Sequence, residues 1–232
     1  MEEITLEINT KWNVNELILL LLMALVFVPI FIELWLHSVL LQAFENTLYA
    51  GTLTGLIMAI IFTLSVYLVA MKPHGFGWDV VGLRSFSRSY WKWIPVWTAV
   101  LIVSSILLVV IMDMLGIGVD NSKSESLKEQ VTWFTFTIGF LSAAVISPIY
   151  EEIFYRGFLY KWIRGKWGVG AGLMVSSLIF TVVHIPTYNT LPVNFLSGVI
   201  FAWTYEKSGS IVPGMIIHGV FNGLAVVLTV LG

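Results

Sequence analysis

Apolar residues run along this chain in long blocks, and polar residues collect in the gaps. Seven blocks stand out: 16–36, 48–71, 93–115, 131–158, 169–186, 192–206 and 211–231. Each lacks the strict alternation of a half-buried strand, and most approach the ~20 apolar residues that a helix needs to cross a bilayer. The fifth and sixth are shorter. Eighteen helical residues reach only ~27 Å, so these two are expected to tilt, to thin the bilayer or to be partly re-entrant. The pattern predicts an all-α fold, a polytopic transmembrane helical bundle of about seven spans, with six to eight compatible. Residues 1–232 read as a single membrane domain, with no internal repeat and no low-complexity tract.

Composition strengthens that reading. The chain of 232 residues is 58% hydrophobic and 11% charged, with a mean hydropathy of +0.90. Soluble domains carry roughly 25% charged residues. The net charge of −2 argues against a nucleic-acid partner. The absence of cysteine excludes disulfides, thiolate ligands and a cysteine nucleophile. The N-terminus, "MEEITLEINTKWNVNE", lacks the basic start of a signal peptide, so the first block is expected to be a retained span.

Charge distribution sets an expected orientation. Lys11, Lys72, Arg84, Arg88, Lys92, Arg156, Lys161, Arg164, Lys166 and Lys207 fall on one side of a seven-span chain, and only Lys123 and Lys128 fall opposite. The positive-inside rule places the N-terminus and the basic segments 72–92 and 156–166 in the cytoplasm. Three glycine pairs at GxxxG spacing, Gly51/Gly55, Gly168/Gly172 and Gly219/Gly223, permit close helix packing within one bundle.

Charged groups inside apolar blocks need a reason, because each costs roughly 2.5–3.5 kcal/mol at the centre of a span on insertion scales. Glu33 and Asp113 are expected near the outer ends of their spans, and His37 and His74 at span ends or in loops. No function is assigned to these four. Glu151, Glu152, Arg156, His184, His218 and Asn222 remain. Residues four apart share a helix face, so Glu152 lies over Arg156 while Glu151 points elsewhere, towards a cavity. Pro148, one turn earlier, lacks an N–H and is expected to distort the helix. His218 and Asn222 share a face. At 1.5 Å per residue, Glu151, His218 and Asn222 fall at a similar depth of ~10–16 Å. Taken alone, each feature also has a bland explanation: an interfacial stop at 151–156, a satisfied core histidine at 184, an interhelical hydrogen bond at 218 and 222.

A carboxylate, two histidines and an amide in one pocket form a catalytic set. No nucleophile-elbow serine, phosphate-binding loop or HExxH helix is present. Direct attack by water remains: Glu151 and His184 would take its proton, while His218 and Asn222 would steady an oxyanion. The same residues could instead hold zinc through Glu151, His184 and His218, with water in the fourth position. Spacing alone leaves both open.

Three stretches carry a family resemblance: Glu151-Glu152 followed by Arg156, Phe180 followed by His184, and His218 followed by Asn222. With "GSIVPGMIIH" at 209–218 and "GWDVVGLR" at 77–84, the chain resembles the CPBP (Abi) family of intramembrane proteases, the type II CAAX prenyl protease-like proteins. The resemblance implies a catalytic core in 131–231 with its site in a cytoplasm-facing cavity of a multi-pass membrane protein, the cell membrane in a prokaryote. It implies an endopeptidase of glutamic type with no required cofactor. Glu151 would be the base, His184 its partner, His218 and Asn222 the oxyanion site, and Glu152 and Arg156 its support. Its substrate would be a peptide or protein tail, with or without a lipid modification, met among membrane lipids. Family members also include bacteriocin-immunity proteins, so a non-enzymatic immunity, scaffold or transport role is the rival expectation.

Overall fold

The computed structural model describes residues 11–117 and 132–231. All regular structure among them is helical. Three long helices come first: α1 (Val14–Phe44), α2 (Thr47–His74) and α3 (Arg88–Met114). A further helical run, Trp133–Val182, is 50 residues long. Gly168 divides it, with φ 83° and ψ 176°. That conformation suits glycine because it has no Cβ to clash. The run is therefore a hairpin of two rods, α4 (133–167) and α5 (169–182). Phe180 on α5 packs back against Tyr155 on α4 at 5.0 Å, and Gly172 lies against Tyr160. Then come α6 (Leu191–Ser208) and α7 (Val212–Leu231).

Seven rods thus correspond to the seven apolar blocks. Five helical runs, counting Trp133–Val182 as one, are long and apolar enough to cross a membrane. The chain is an all-α polytopic bundle. Lys123 and Lys128, the two basic residues expected on the far side, lie outside the described residues.

Two expectations need correction. The first block was read as ending at residue 36, yet α1 continues to Phe44. Glu33 and His37 therefore sit well inside the helix, not near its end. His37 is accommodated because its Nδ1 lies 3.1 Å from Thr54 Oγ1 on α2. That hydroxyl gives its own hydrogen to the Ala50 carbonyl, so His37 is the donor. The second correction concerns Gly168, which was paired with Gly172 as a packing motif. It turns the chain, and a Cβ there would meet nothing within 4 Å.

The other glycines of the last pair do pack. A Cβ on Gly219 would collide with the Ala144 carbonyl, and one on Gly223 would meet the Phe140 ring at 3.0 Å. Small residues let α7 lie against α4 at backbone distance, the route to van der Waals contact where lipid offers no hydrophobic drive.

One end of the bundle is tied together by polar bonds. Lys161 Nζ donates to the Val80 carbonyl at 2.7 Å, and Arg84 Nε to the Gly209 carbonyl at 2.8 Å. Ile211 N–H donates to the Gly82 carbonyl at 2.9 Å. Trp162 Nε1 donates to the Asn13 carbonyl at 3.1 Å, and Arg164 holds Glu206 with two bonds of 2.6 Å. The segments before α1, between α2 and α3, at 161–164 and between α6 and α7 all meet there. These are the segments whose lysines and arginines were expected to share one side.

Candidate active site

The site is built on α4, where Pro148 sits between two stretches of altered winding. Residues Ser142–Ile146 and Glu152–Tyr160 are wound more widely than an α-helix. In the first, Ser147 N–H reaches back five residues to the Ser142 carbonyl. The next N–H in that ladder would serve Ala143, but it belongs to Pro148, which has none. Asn222 on α7 fills the gap: its Nδ2 donates to the Ala143 carbonyl at 3.1 Å. A carbonyl left bare in an apolar bundle is costly, so this bond fixes Asn222 against α4. One amide hydrogen of Asn222 is used this way.

Glu152 and Arg156 pair as their spacing predicted, with Arg156 Nη1 at 3.0 Å from Glu152 Oε1. Both are fully interior, at 0% and 1% exposure. Arg156 also donates from Nη2 to the Gly198 carbonyl at 3.3 Å. Its guanidinium lies between two aromatic faces, 4.4 Å from Phe180 and 5.0 Å from Phe201. A buried guanidinium needs such company, because its desolvation is otherwise uncompensated.

His218 joins both glutamates. Its Nδ1 is 3.1 Å from Glu152 Oε1, and its Nε2 is 3.7 Å from Glu151 Oε2. The ring stacks on Phe201 at 4.6 Å and meets the edge of Phe180 at 6.2 Å. Glu151 keeps 13% of its side chain accessible while Glu152 has none. The two adjacent carboxylates are therefore unlike, one reachable and one sealed. The Tyr150 phenol interacts with the Glu151 carboxylate and with Ser147. Tyr150 carries no motif, and nothing in the sequence pointed to it.

His184 follows the end of α5 in a tight turn, with its backbone N–H bonded to the Thr181 carbonyl. Its Nδ1 lies 2.7 Å from the Phe180 carbonyl. A carbonyl only accepts, so Nδ1 carries the proton and Nε2 is the basic nitrogen. The ring rests on Phe180 at 4.8 Å. Phe180 thus touches His184, His218 and the Arg156 cation at once.

Glu151, Glu152, Arg156 and His218 form one contiguous cluster. His184 reaches it across the Phe180 ring. Asn222 stands one turn further along α7. An apolar groove of about 520 Å³ adjoins them between α4 and α7, lined by Phe140, Ala144, Pro148, Met215, Gly219 and Gly223 among others. Among the described residues, no three histidine, cysteine, aspartate or glutamate side chains are grouped to hold a metal ion.

Comparison with known proteins bears on the same helices. Residues 133–224 match the family described as type II CAAX prenyl endopeptidase Rce1-like. The resemblance carried by the three motifs is borne out. The matched residues begin with α4 and end within α7, and they contain every member of the cluster. The chain is also similar to the UPF0177 protein YbdI of Lactococcus lactis, 27% identical over 104 residues, covering 43% of this chain and 51% of that protein. A second L. lactis protein, UPF0177 protein YxdF, is 30% identical over 88 residues, covering 36% of this chain and 48% of that one. The membrane-embedded CAAX protease MroQ of Staphylococcus aureus is 34% identical over 94 residues, 38% of each chain. The similarity thus spans about half the length of these relatives or less. No solved structure matches.

Proposed function

We propose that this protein is an intramembrane endopeptidase that hydrolyses a peptide or protein tail with water activated by Glu151. The observation that carries the reading is the Glu151–His218 pair, 3.7 Å apart at the one accessible carboxylate of a buried charged cluster. The family match over 133–224 supports the protease class. The N-terminus and the basic segments 72–92 and 156–166 face the cytoplasm in this reading, and the site opens towards that side.

The chemistry runs as follows. Glu151 takes a proton from water, and His184 Nε2 is its partner in holding that water. The water oxygen attacks the scissile carbonyl carbon, and the C=O π electrons move onto oxygen. That oxyanion accepts hydrogen bonds from His218 Nε2–H and from the second amide hydrogen of Asn222. Collapse breaks the C–N bond, and the proton held by Glu151 passes to the leaving amine. Glu152 and Arg156 support the cluster. The groove beside α4 and α7 would take an apolar part of the substrate, lipid-modified or not, alongside the bilayer.

The test compares peptides from membranes carrying wild-type protein with those carrying Glu151→Gln, which keeps the size and removes the base. Peptides that disappear in the variant, with equal amounts of folded protein, are the expected result. Identical peptide profiles, or full cellular function of the variant, would sink the protease reading in favour of a binding or immunity role. Metal analysis of purified protein runs beside it: a stoichiometric metal needed for cleavage would overturn water activation by Glu151 alone.

A further inference from the structure

The end of the bundle that gathers the basic segments also holds a pocket apart from the charged cluster. It measures about 400 Å³ and is lined by Leu83, Arg84, Ser85, Phe86, Trp91 and Val212. Four of these come from the segment between α2 and α3, Trp91 from the first turn of α3, and Val212 is the first residue of α7.

Arg84 is fixed in this pocket by backbone bonds. Its Nε donates to the Gly209 carbonyl at 2.8 Å, its N–H donates to the Gly82 carbonyl at 2.9 Å, and its own carbonyl accepts the Ser210 hydroxyl. The side chain is half-buried. Among the described residues, no carboxylate pairs with it, and Nε–Gly209 is the one hydrogen bond that its side chain makes. The arginines of α4 differ: Arg156 holds Glu152 and Arg164 holds Glu206. A guanidinium stays charged in proteins. Arg84 therefore brings a positive charge and two unused Nη groups to the pocket, and the chain supplies no anion to meet them.

The surroundings narrow the anion. Residues 80–93 contain Arg84, Arg88 and Lys92 but no aspartate or glutamate. Arg88 and Lys92 are exposed. Nothing in this stretch would pair with an ammonium, so a headgroup that carries its own cation finds no partner here. The rest of the lining suits the level where lipid headgroups meet acyl chains. Phe86 and Trp91 lie 5.2 Å apart, and Trp91 is 56% exposed. Aromatic rings concentrate at that level. The two Nη groups of an arginine match two oxygens of one phosphate, and the Ser85 hydroxyl lies beside them in the same lining.

We propose that this pocket binds the phosphate of an anionic phospholipid, with Arg84 as the specific contact, Ser85 as a further donor, and Phe86 and Trp91 against the apolar part of the same lipid. Arg88 and Lys92 attract such lipids from outside the pocket. The proposal stands apart from the endopeptidase reading, because Arg84 belongs to none of the groups that act on the scissile bond.

The experiment is native mass spectrometry of the full chain in detergent micelles, titrated with phosphatidylglycerol or with phosphatidylcholine. Wild type is expected to retain one phosphatidylglycerol in preference to phosphatidylcholine. Arg84→Gln should weaken that binding by about tenfold, the loss of one hydrogen-bonded charge contact. Arg88→Gln should weaken it by no more than about threefold, as an exposed charge does. Arg84→Lys keeps the charge but loses the planar fork, and should also weaken binding. Val212→Phe keeps Arg84 and its bonds to Gly209 and Ser210 but fills the pocket from α7, and should weaken binding too. Equal retention of both lipids by wild type overturns the proposal. So does wild-type affinity in Arg84→Lys or Val212→Phe, or a loss in Arg88→Gln as large as in Arg84→Gln, since each would mean a diffuse attraction to positive charge. Displacement of the lipid by an equal concentration of glycerol 3-phosphate would assign the pocket to a soluble phosphate instead. If Arg84→Gln does not fold, Val212→Phe and the wild-type lipid preference decide.

Discussion

The two parts of the bundle solve the membrane problem differently. Helices α1 to α3 bury few polar side chains: of fifteen buried polar or charged residues among those described, only Glu16, Thr54 and Ser105 precede residue 132. The rest lie in α4 to α7 and the turn before α7, including Glu152, Arg156 and His218. In lipid, apolar packing alone holds a helix at no electrostatic cost. Holding a sealed carboxylate, a second that stays reachable, a guanidinium and an imidazole inside four helices is far more expensive. The difference teaches where to look for chemistry. The first three helices are organised as support, and the last four are organised around one charged cluster.

Four substitutions would break or sharpen that contrast. The largest effect is expected from Glu151→Gln in α4. Loss of a general base lowers a rate by roughly 10²–10⁴-fold, read as the disappearance of product peptides with thermal unfolding unchanged. Wild-type product levels would move the chemistry away from this cluster. Next is Arg156→Leu, which strands Glu152. Breaking a buried ion pair costs about 3–5 kcal/mol, so the folded yield in detergent and the unfolding midpoint should both fall. A neutral result would mean that the pair adds nothing to stability.

Gly219→Val ranks third. Its side chain would meet the Ala144 backbone, and overpacking costs about 1–3 kcal/mol. Thermal unfolding measures the loss, and cleavage should fall too because α7 carries His218 and Asn222. The smallest effect is expected in the supporting half. Thr54→Val removes the acceptor of His37 between α1 and α2, and interhelical hydrogen bonds in membranes average about 0.6 kcal/mol. Stability should drop slightly, with product peptides unchanged. Abolished cleavage would show that the first helices do more than support.

Much of the candidate site was legible in the chain. The spacing of Glu152 and Arg156 is one helical turn, so their pairing needed no fold. His218 and Asn222 were readable as one face for the same reason. The Glu152–His218 bond was not readable, because 66 residues separate its partners and only the packing of α7 on α4 brings them together. Spacing paired Glu152 with Arg156 alone, whereas packing also seals it against the histidine. Asn222 was readable as a polar group but not as the partner of Ala143, which depends on the local winding before Pro148.

The apolar blocks by themselves determined an all-helical membrane bundle, because a backbone in lipid must satisfy its own hydrogen bonds. The polar residues inside the blocks determined which helices carry the charged cluster. Tertiary structure alone decided the rest. It set the reversal at Gly168, since a positive φ is a property of the turn, and the length of α1, since Thr54 on a neighbouring helix accommodates His37. It also separated two adjacent glutamates into one reachable and one enclosed, because burial is decided by what packs against a helix face and not by the residues along it.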